Sequence, residues 1–215
     1  MFKKWIFCFC FLFWLAGTSR AALFQEIGDA GKTLDTAMPV AESTVQINGY
    51  LEWPDPFNDY AGADLYVFWW NGGPFGAETS SNNYFDFQLF LFDENGYGIW
   101  ANDDGGYNLN ARIEDVLAPG VYYLGISAYD YDPYNLFGEE IFPDYPYDTQ
   151  LAPQAMDPWL AYWDGPVVGG DVNYTITFSS PVNVPEPASI ILVGLALSIL
   201  GFLGLKAKSK VNNVK

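Results

Sequence analysis

Beyond its first 21 residues, this sequence lacks the side chains on which many catalytic and metal sites depend. The chain has no histidine, and its two cysteines, Cys8 and Cys10, lie in an apolar run near the amino terminus. Because the rest of the chain has no imidazole or thiol group, it cannot form disulfides or zinc sites of the His/Cys type. Ser-His-Asp and Cys-His catalysis are excluded for the same reason. What remains is the chemistry of carboxylates and of other oxygen ligands.

Basic residues are almost absent from the middle of the chain. Of the nine lysines and arginines, only Lys32 and Arg112 lie outside the two termini, whereas all 26 acidic residues lie between Glu26 and Glu186. Residues 22–187 therefore carry a net charge of −24. Such a surface repels phosphate backbones and anionic lipid, so the charge argues against nucleic acid as a partner and favours divalent cations.

The amino terminus has the three parts of a signal peptide. Lys3 and Lys4 precede an apolar run from Trp5 to Ala16, and small residues follow up to Ala21. The run is short for a bilayer span, which needs about 20 residues. We expect cleavage after Ala21, with residues 1–21 as the signal peptide; the alternative is a retained amino-terminal anchor.

The carboxy terminus predicts a transmembrane helix. Residues 188–205 contain no charge, and residues 206–215 carry four lysines without an acidic residue. A helix over the uncharged run is roughly 27 Å long, close to the hydrocarbon thickness of a bilayer. The positive-inside bias makes residues 206–215 a cytoplasmic tail and places residues 22–187 in the periplasm as part of an inner-membrane-anchored precursor.

A Pro-Glu-Pro triad, Pro185, Glu186 and Pro187, stands immediately before this helix. Its prolines hold the linker 181–187 extended and remove backbone donors, which leaves an exposed stub at the membrane boundary. The triad, the helix and the basic tail together resemble the PEP-CTERM sorting signal of Gram-negative bacteria that make extracellular polysaccharide. The resemblance implies that an exosortase, a membrane-bound transpeptidase-like protease, reads the triad, removes the helix, and releases or re-attaches the domain at the cell surface. The alternative is a simple tail anchor with a proline-rich stalk.

Residues 22–180 have the pattern of a single all-β domain. Short alternating segments are separated by clusters of Gly, Asn, Asp and Pro, and strands of this number and length close as a sandwich. From Phe85 to Leu91 the odd positions are apolar, whereas Asp86 and Gln88 face away from the core. Asn95-Gly96 predicts a tight hairpin with positive φ angles. The candidate strands are Thr44–Leu51, Asp64–Trp70, Tyr84–Phe92, Gly98–Ala101, Ala111–Val116, Val121–Ala128 and Asn173–Phe178.

Four short blocks of this domain resemble the bacterial pre-peptidase carboxy-terminal domain. They are Glu26–Gly31, Phe87–Asp93, Ala101–Gly106 and Ala118–Ile126. The resemblance implies a jelly-roll-like antiparallel β-sandwich that binds calcium or polymers and is not a catalyst. The segment Tyr129–Asp171 departs from the family's short final hairpin and is expected to form an irregular acidic and aromatic insertion.

Two acidic loops are candidate calcium sites. Asn102, Asp103 and Asp104 place side-chain oxygens on a glycine-rich turn at the end of a strand, and Asp130 and Asp132 lie in a second loop. Calcium takes six to eight oxygen ligands, and carboxylates are its usual partners. The alternatives are a plain solvated turn at the first loop and a loop packed on its own aromatic rings at the second.

Aromatic residues exceed what a sandwich core can hold. Because Trp69 and Trp70 are adjacent on a predicted strand, they must face opposite sides of the sheet. Within the insertion, Trp159, Tyr162 and Trp163 have flat apolar faces suited to stacking on sugar, which makes polysaccharide a candidate ligand. The alternative is a cluster of rings that fastens the insertion to the sandwich.

The sequence as a whole predicts a noncatalytic cell-surface or extracellular-matrix protein that an exosortase processes and that binds calcium, polysaccharide or both. Two alternatives stay open. One is a secreted, carboxylate-dependent polysaccharide hydrolase, for which Glu139 and Glu140 are the first suspects. The other is a structural scaffold without a ligand. No phosphate-binding loop or Gly-x-Ser-x-Gly nucleophile motif is present in the sequence.

Overall fold

The computed structural model describes residues 21–52, 62–80, 85–166 and 172–184, which contain strands and no helix. The strands are β1 Ala22–Gln25, β2 Met38–Pro39, β3 Thr44–Leu51, β4 Ala63–Trp70, β5 Gly73–Ser80, β6 Phe87–Asp93, β7 Gly98–Asn102, β8 Arg112–Leu117, β9 Gly120–Ala128, β10 Asp132–Tyr134, β11 Tyr162–Asp164 and β12 Val172–Val182. Four predicted segments lie outside the described residues: residues 1–20 of the signal peptide, the Pro-Glu-Pro triad, the membrane helix and the tail. Among the residues that are described, no helix has the length and apolar character to cross a membrane.

Two five-stranded sheets pack face to face and enclose the main core. The first sheet has the order β1-β3-β12-β5-β8 and the second has the order β2-β4-β9-β6-β7. Alternate side chains of both sheets point into the space between them, as the period of two along a strand requires. The prediction of an all-β sandwich is thereby confirmed. Fully buried members of this core include Ile47, Phe68, Leu89, Leu124 and Ile176.

The two edge strands nearest the amino terminus depart from the predicted antiparallel arrangement. Strand β1 pairs with β3 in parallel, and β2 pairs with β4 in parallel. From β1 to β5 the chain alternates between the two sheets, so β1 and β3 are joined through a strand of the other sheet, and so are β2 and β4. A connection that leaves the sheet and returns allows neighbouring strands to run in parallel, whereas a tight hairpin makes them antiparallel. The antiparallel prediction holds for the other strand pairs of the described residues and is wrong for these two.

Strand β12 runs further than the sequence predicts. Val182 is fully buried in the core and pairs with Thr44, while Asn183 forms a bridge with Trp69. The first residues of the predicted linker 181–187 therefore belong to the sheet. Strand β5 was not predicted at all, because its two glycines and one proline disguise the alternation of its buried residues.

The predicted hairpin joins β6 to β7, although only one of its residues is left-handed. Gly96 has a φ of 85°, and Asn95 is not among the residues with positive φ. The Asp93 Oδ1 atom accepts hydrogen bonds from the backbone N–H groups of Asn95 at 2.8 Å and Tyr97 at 2.9 Å. The aspartate side chain therefore closes the turn that a pair of left-handed residues was expected to form.

The insertion that follows β9 forms a third layer on the outer face of the second sheet. Outward-facing side chains of that sheet and apolar side chains of the insertion make a second core. The Trp163 indole N–H donates to the Lys32 carbonyl at 2.7 Å, and its ring lies so close to Gly125 that a Cβ there would stand 2.9 Å from it. The rings thus fasten the insertion to the sandwich. This second core includes Leu65, Phe90, Phe92, Ile141, Phe142, Leu160 and Trp163.

Candidate metal centre

Three carboxylates, which we call the acidic triad, meet at one end of the β6–β7 hairpin. Asp86 directly precedes β6, and Asp103 and Asp104 directly follow β7. Because β6 and β7 are antiparallel, with Leu89 opposite Asn102, the start of one strand lies beside the end of the other. One carboxylate oxygen from each member of the triad lies within 4.8 Å of the other two.

Asn102 shapes the turn that carries two members of the triad. Its Oδ1 atom accepts hydrogen bonds from the backbone N–H groups of Gly105 at 2.8 Å and Arg112 at 2.6 Å. Glycine is required at position 105, because a Cβ there would lie 2.5 Å from that same oxygen. Because the oxygen of Asn102 already has two donors, we do not count Asn102 among the ligands of the triad, and its predicted role as a ligand stays a prediction. Its role is to orient Asp103 and Asp104.

Within the part of the chain that the structure describes, four buried oxygens at this end of the hairpin have no hydrogen-bond partner: the Oδ1 atoms of Asp86, Asp103 and Asp104, and the Oε1 atom of Gln88. Asp103 is only 7% exposed and Gln88 only 9%. Buried polar atoms are almost always paired, because an unpaired one keeps the full cost of losing water. Four oxygens brought together in this way make an environment suited to a cation.

Among the described residues, no basic side chain forms an ion pair with the triad. Within the described residues Arg112 forms its ion pairs with Glu78 and Glu114, and the Lys32 ammonium lies 3.4 Å from the Tyr131 hydroxyl. Burial, followed by the charges of Asp86 and Asp104, raises the pKa of Asp103 to about 8. Burial also raises the pKa values of Asp86 and Asp104. At neutral pH the triad therefore has to hold either protons or a metal ion.

A small cavity of about 20 Å³ adjoins the triad and lies between the second sheet and the insertion. This volume suits a single water molecule or ion. On the sheet side Asp103 and Gln88 line it, and on the insertion side Asp132 and Asp144 line it. The Gln88 Nε2 atom donates to the Asp132 Oδ1 atom at 3.0 Å, so the amide joins the two sides. The remaining lining residues are Phe90, Ala101, Asn102, Phe142, Pro143 and Leu151.

A second group of carboxylates converges on the insertion side of the cavity. Oxygens of Asp132, Glu140 and Asp144 lie within 4.8 Å of one another. Burial, and then the charges of Asp144 and Asp130, raises the pKa of Asp132 to about 7 against the hydrogen bond from Gln88. Burial, and then the neighbouring Asp144 and Asp132, raises the pKa of Glu140 to about 8.

A third carboxylate group, made of Glu26, Asp29 and Asp64, has hydrogen-bond donors of its own. Glu26 accepts from the backbone N–H groups of Ala30 at 2.9 Å and Tyr50 at 2.8 Å. The Tyr174 hydroxyl donates to Asp64 at 2.5 Å. Because donors already satisfy these buried acids, the group acts as a polar link between strands, and the unpaired oxygens make the acidic triad the better metal candidate.

The structure brings together only part of the predicted calcium ligands. Asp103 and Asp104 belong to the triad, and Asp132 lies across the cavity from Asp103. Asp130 belongs to none of the three carboxylate groups; it occupies a left-handed turn with a φ of 66° before β10. Asp130 therefore contributes its charge to this region and is not placed as a ligand.

Asp86 and Gln88 are members of the site that the sequence pattern does not indicate directly. Both face away from the sandwich core, as predicted, and that pattern usually indicates solvent. Here the insertion covers the outward face. Phe90 and Phe92 lie on the same outward face of β6, and two buried phenylalanines there are the signal that a further layer covers it.

The predicted stacking residues have three different environments. Trp163 is 5% exposed and enclosed by the second core, so it is not available to stack on a ligand. Trp159 is half-buried, and its indole N–H donates to the Asn95 carbonyl at 2.9 Å. Tyr162 is 40% exposed and stacks on Tyr134 with 5.6 Å between ring centres. Tyr162 is the most exposed of the three, and polysaccharide binding stays a prediction.

The two glutamates suspected of hydrolase chemistry have different partners. Glu139 accepts a hydrogen bond from the Asn135 side-chain amide at 2.8 Å, whereas Glu140 converges with Asp132 and Asp144.

The adjacent strand tryptophans face opposite sides, as predicted: Trp70 is buried in the main core and Trp69 is half-buried, with its N–H donating to Asn71.

No protein-family model matches the chain, and neither does any curated protein. Among solved structures, the chain is similar to the 1.0 Å crystal structure of the pre-peptidase C-terminal domain of a collagenase from Bacillus anthracis. The TM-score is 0.37 and the sequence identity is 13%, over 74% of this chain and 97% of that domain.

Proposed function

We propose that this protein is an exported, noncatalytic cell-surface or matrix protein whose β-sandwich binds Ca²⁺ at the acidic triad. The observation that carries the proposal is the set of four buried oxygens, from Asp86, Gln88, Asp103 and Asp104, that have no hydrogen-bond partner. In this proposal the cation supplies the positive charge that none of the described side chains around the triad provides.

The donor set favours calcium over other metals. Every candidate ligand atom is an oxygen, and carboxylate and amide oxygens suit hard cations, whereas zinc and copper prefer sites that include nitrogen or sulfur. Mg²⁺ demands a near-ideal octahedron and gives up its water reluctantly, which an irregular set of carboxylates on a turn does not provide. Calcium modules outside the cell typically have dissociation constants of about 0.1–1 mM, and we expect this range here.

Thermal unfolding of the full-length chain in detergent tests calcium binding. At a Ca²⁺ concentration of about 100 times Kd, a cation that binds only the folded state adds about 2.7 kcal/mol, or roughly 5–10 °C in Tm for a chain of this size. We expect Mg²⁺ at the same concentration to give a much smaller rise. Equal unfolding temperatures with and without Ca²⁺ would remove calcium binding from the proposed function.

Delivery to the surface rests on the sorting signal that the sequence predicts, with an exosortase as the processing partner. Replacing Pro185, Glu186 and Pro187 together by alanine should leave the full-length precursor in the membrane of a bacterium that has an exosortase. The unaltered chain should appear as a shorter form in the surface or medium fraction. Immunoblotting of the fractions decides the point, since a simple tail anchor would give one full-length membrane band for both chains.

A further inference from the structure

We propose that the cavity between the second sheet and the insertion holds a second divalent cation, which makes the acidic triad and the cavity one two-cation centre. The proposal rests on the proposed function, because it adds a position beside the triad and gives Asp103 a part in both. It also assigns a role to Asp132 and Asp144, which the triad does not use.

The sheet side of the cavity presents two oxygens that lack a partner. These are Asp103 Oδ1 and Gln88 Oε1, both buried, and both residues line the cavity. The orientation of the Gln88 amide is fixed by the hydrogen bond that its Nε2 atom donates to Asp132 at 3.0 Å. The amide nitrogen is therefore committed to the insertion, and the amide oxygen is left for a ligand.

The insertion side presents two carboxylates. Asp132 is 6% exposed and sits at the start of β10, whereas Asp144 is exposed and leaves an opening toward solvent. An exposed ligand on one side suits calcium, which completes its coordination with water. One oxygen of Glu140 lies within 4.8 Å of oxygens of both carboxylates, although Glu140 does not line the cavity itself.

A cation accounts for the cavity better than a buried water does. The cavity is large enough for one small guest, and three of the polar side chains that line it are the carboxylates of Asp103, Asp132 and Asp144. A water can donate only two hydrogen bonds, and it carries no positive charge to offset the repulsion between carboxylates brought this close together. A divalent cation binds the unpaired oxygens and offsets that repulsion at once.

A cation in this position would cross-link two layers of the fold. Asp103 and Gln88 belong to the hairpin of the second sheet, whereas Asp132 and Asp144 belong to the insertion. The second core already joins these layers through Phe90, Phe142 and Trp163. The cation adds a polar clamp at the edge where that apolar contact ends.

Calorimetric titration of the full-length chain in detergent with CaCl₂ tests the second position. We expect two equivalents for the unaltered chain and the loss of one when Asp132→Asn and Asp144→Asn are combined. Asp86→Asn combined with Asp104→Asn should remove the other equivalent and leave the cavity site. Glu94→Gln, which neutralises an exposed carboxylate at the opposite end of the same hairpin, should keep two equivalents.

The outcomes separate this inference from the proposed function. A single equivalent in the unaltered chain that is kept in the Asp132→Asn and Asp144→Asn chain overturns the second position and leaves the triad site standing. No binding in the unaltered chain overturns both. If circular dichroism shows that the double variant does not fold, Asp144→Asn alone serves, because its side chain is exposed. The Asp144→Asn variant should bind one of its two calcium equivalents with about tenfold lower affinity. Two unchanged affinities would overturn the second position.

Discussion

Replacing Asp86 and Asp103 together by asparagine is expected to abolish the rise in Tm that calcium produces and, at about pH 8, to stabilise the cation-free protein. The unaltered triad holds carboxylates that burial and mutual repulsion make costly to ionise, which is why the pKa of Asp103 is raised to about 8. Asparagine removes two of the charges and supplies N–H donors to the remaining unpaired oxygens. Thermal unfolding with chelator and with excess Ca²⁺ measures both effects.

The combination of the two effects distinguishes a metal site from a structural role. A side chain that merely supports the fold would lower Tm under both conditions when it is replaced. The matched control is Glu94→Gln, which lies in the exposed turn of the same hairpin and should leave the calcium response unchanged. A calcium response of full size in the Asp86→Asn and Asp103→Asn chain would contradict the assignment of the triad.

The cation-free protein is expected to lose stability as the pH rises from about 5 to about 8. The pKa values of Asp103, Asp132 and Glu140 are raised in the folded state to about 8, 7 and 8, from ordinary values of 3.8, 3.8 and 4.5. Between the ordinary and the raised values the folded chain binds more protons than the unfolded chain, so its stability falls with increasing pH. The loss is complete once the pH exceeds the raised values.

Calcium should reverse this dependence, because the cation takes the place of the protons. The difference in Tm between calcium-loaded and cation-free protein should therefore be small near pH 5 and largest near pH 8, by roughly 5–10 °C at about 100 times Kd. Unfolding curves at four pH values, each with and without Ca²⁺, give the comparison. A difference in Tm that stays constant over this range would show that protons and calcium do not compete for the same oxygens.

The main core of this fold could be predicted from the sequence because it depends on local alternation. The apolar positions of β6 follow a period of two, and the structure places Phe87, Leu89 and Leu91 in the core between the sheets. The same alternation cannot say whether the opposite face meets water or another layer. That depends on where the insertion packs, and Phe142 and Trp163, which cover Phe90, are more than 50 residues away in the chain.

The same distinction explains how much of the metal centre was predicted. Asp103 and Asp104 are neighbours on a glycine-rich turn, so their proximity is visible in the sequence. Asp86 reaches them only through the register of β6 against β7, and Asp144 only through the packing of the insertion. Asn102 was assigned as a ligand because its residue type suits calcium, yet its oxygen is used by two backbone N–H groups of the turn.

The most direct test of the acidic triad as a calcium site is the anomalous difference density of a crystal grown in excess CaCl₂. We predict a peak at about 2.3–2.6 Å from carboxylate oxygens of Asp86, Asp103 and Asp104, the distance at which calcium binds oxygen. A crystal in saturating calcium that shows no anomalous peak at these three side chains, with their oxygens hydrogen-bonded to one another or to water, would contradict the account.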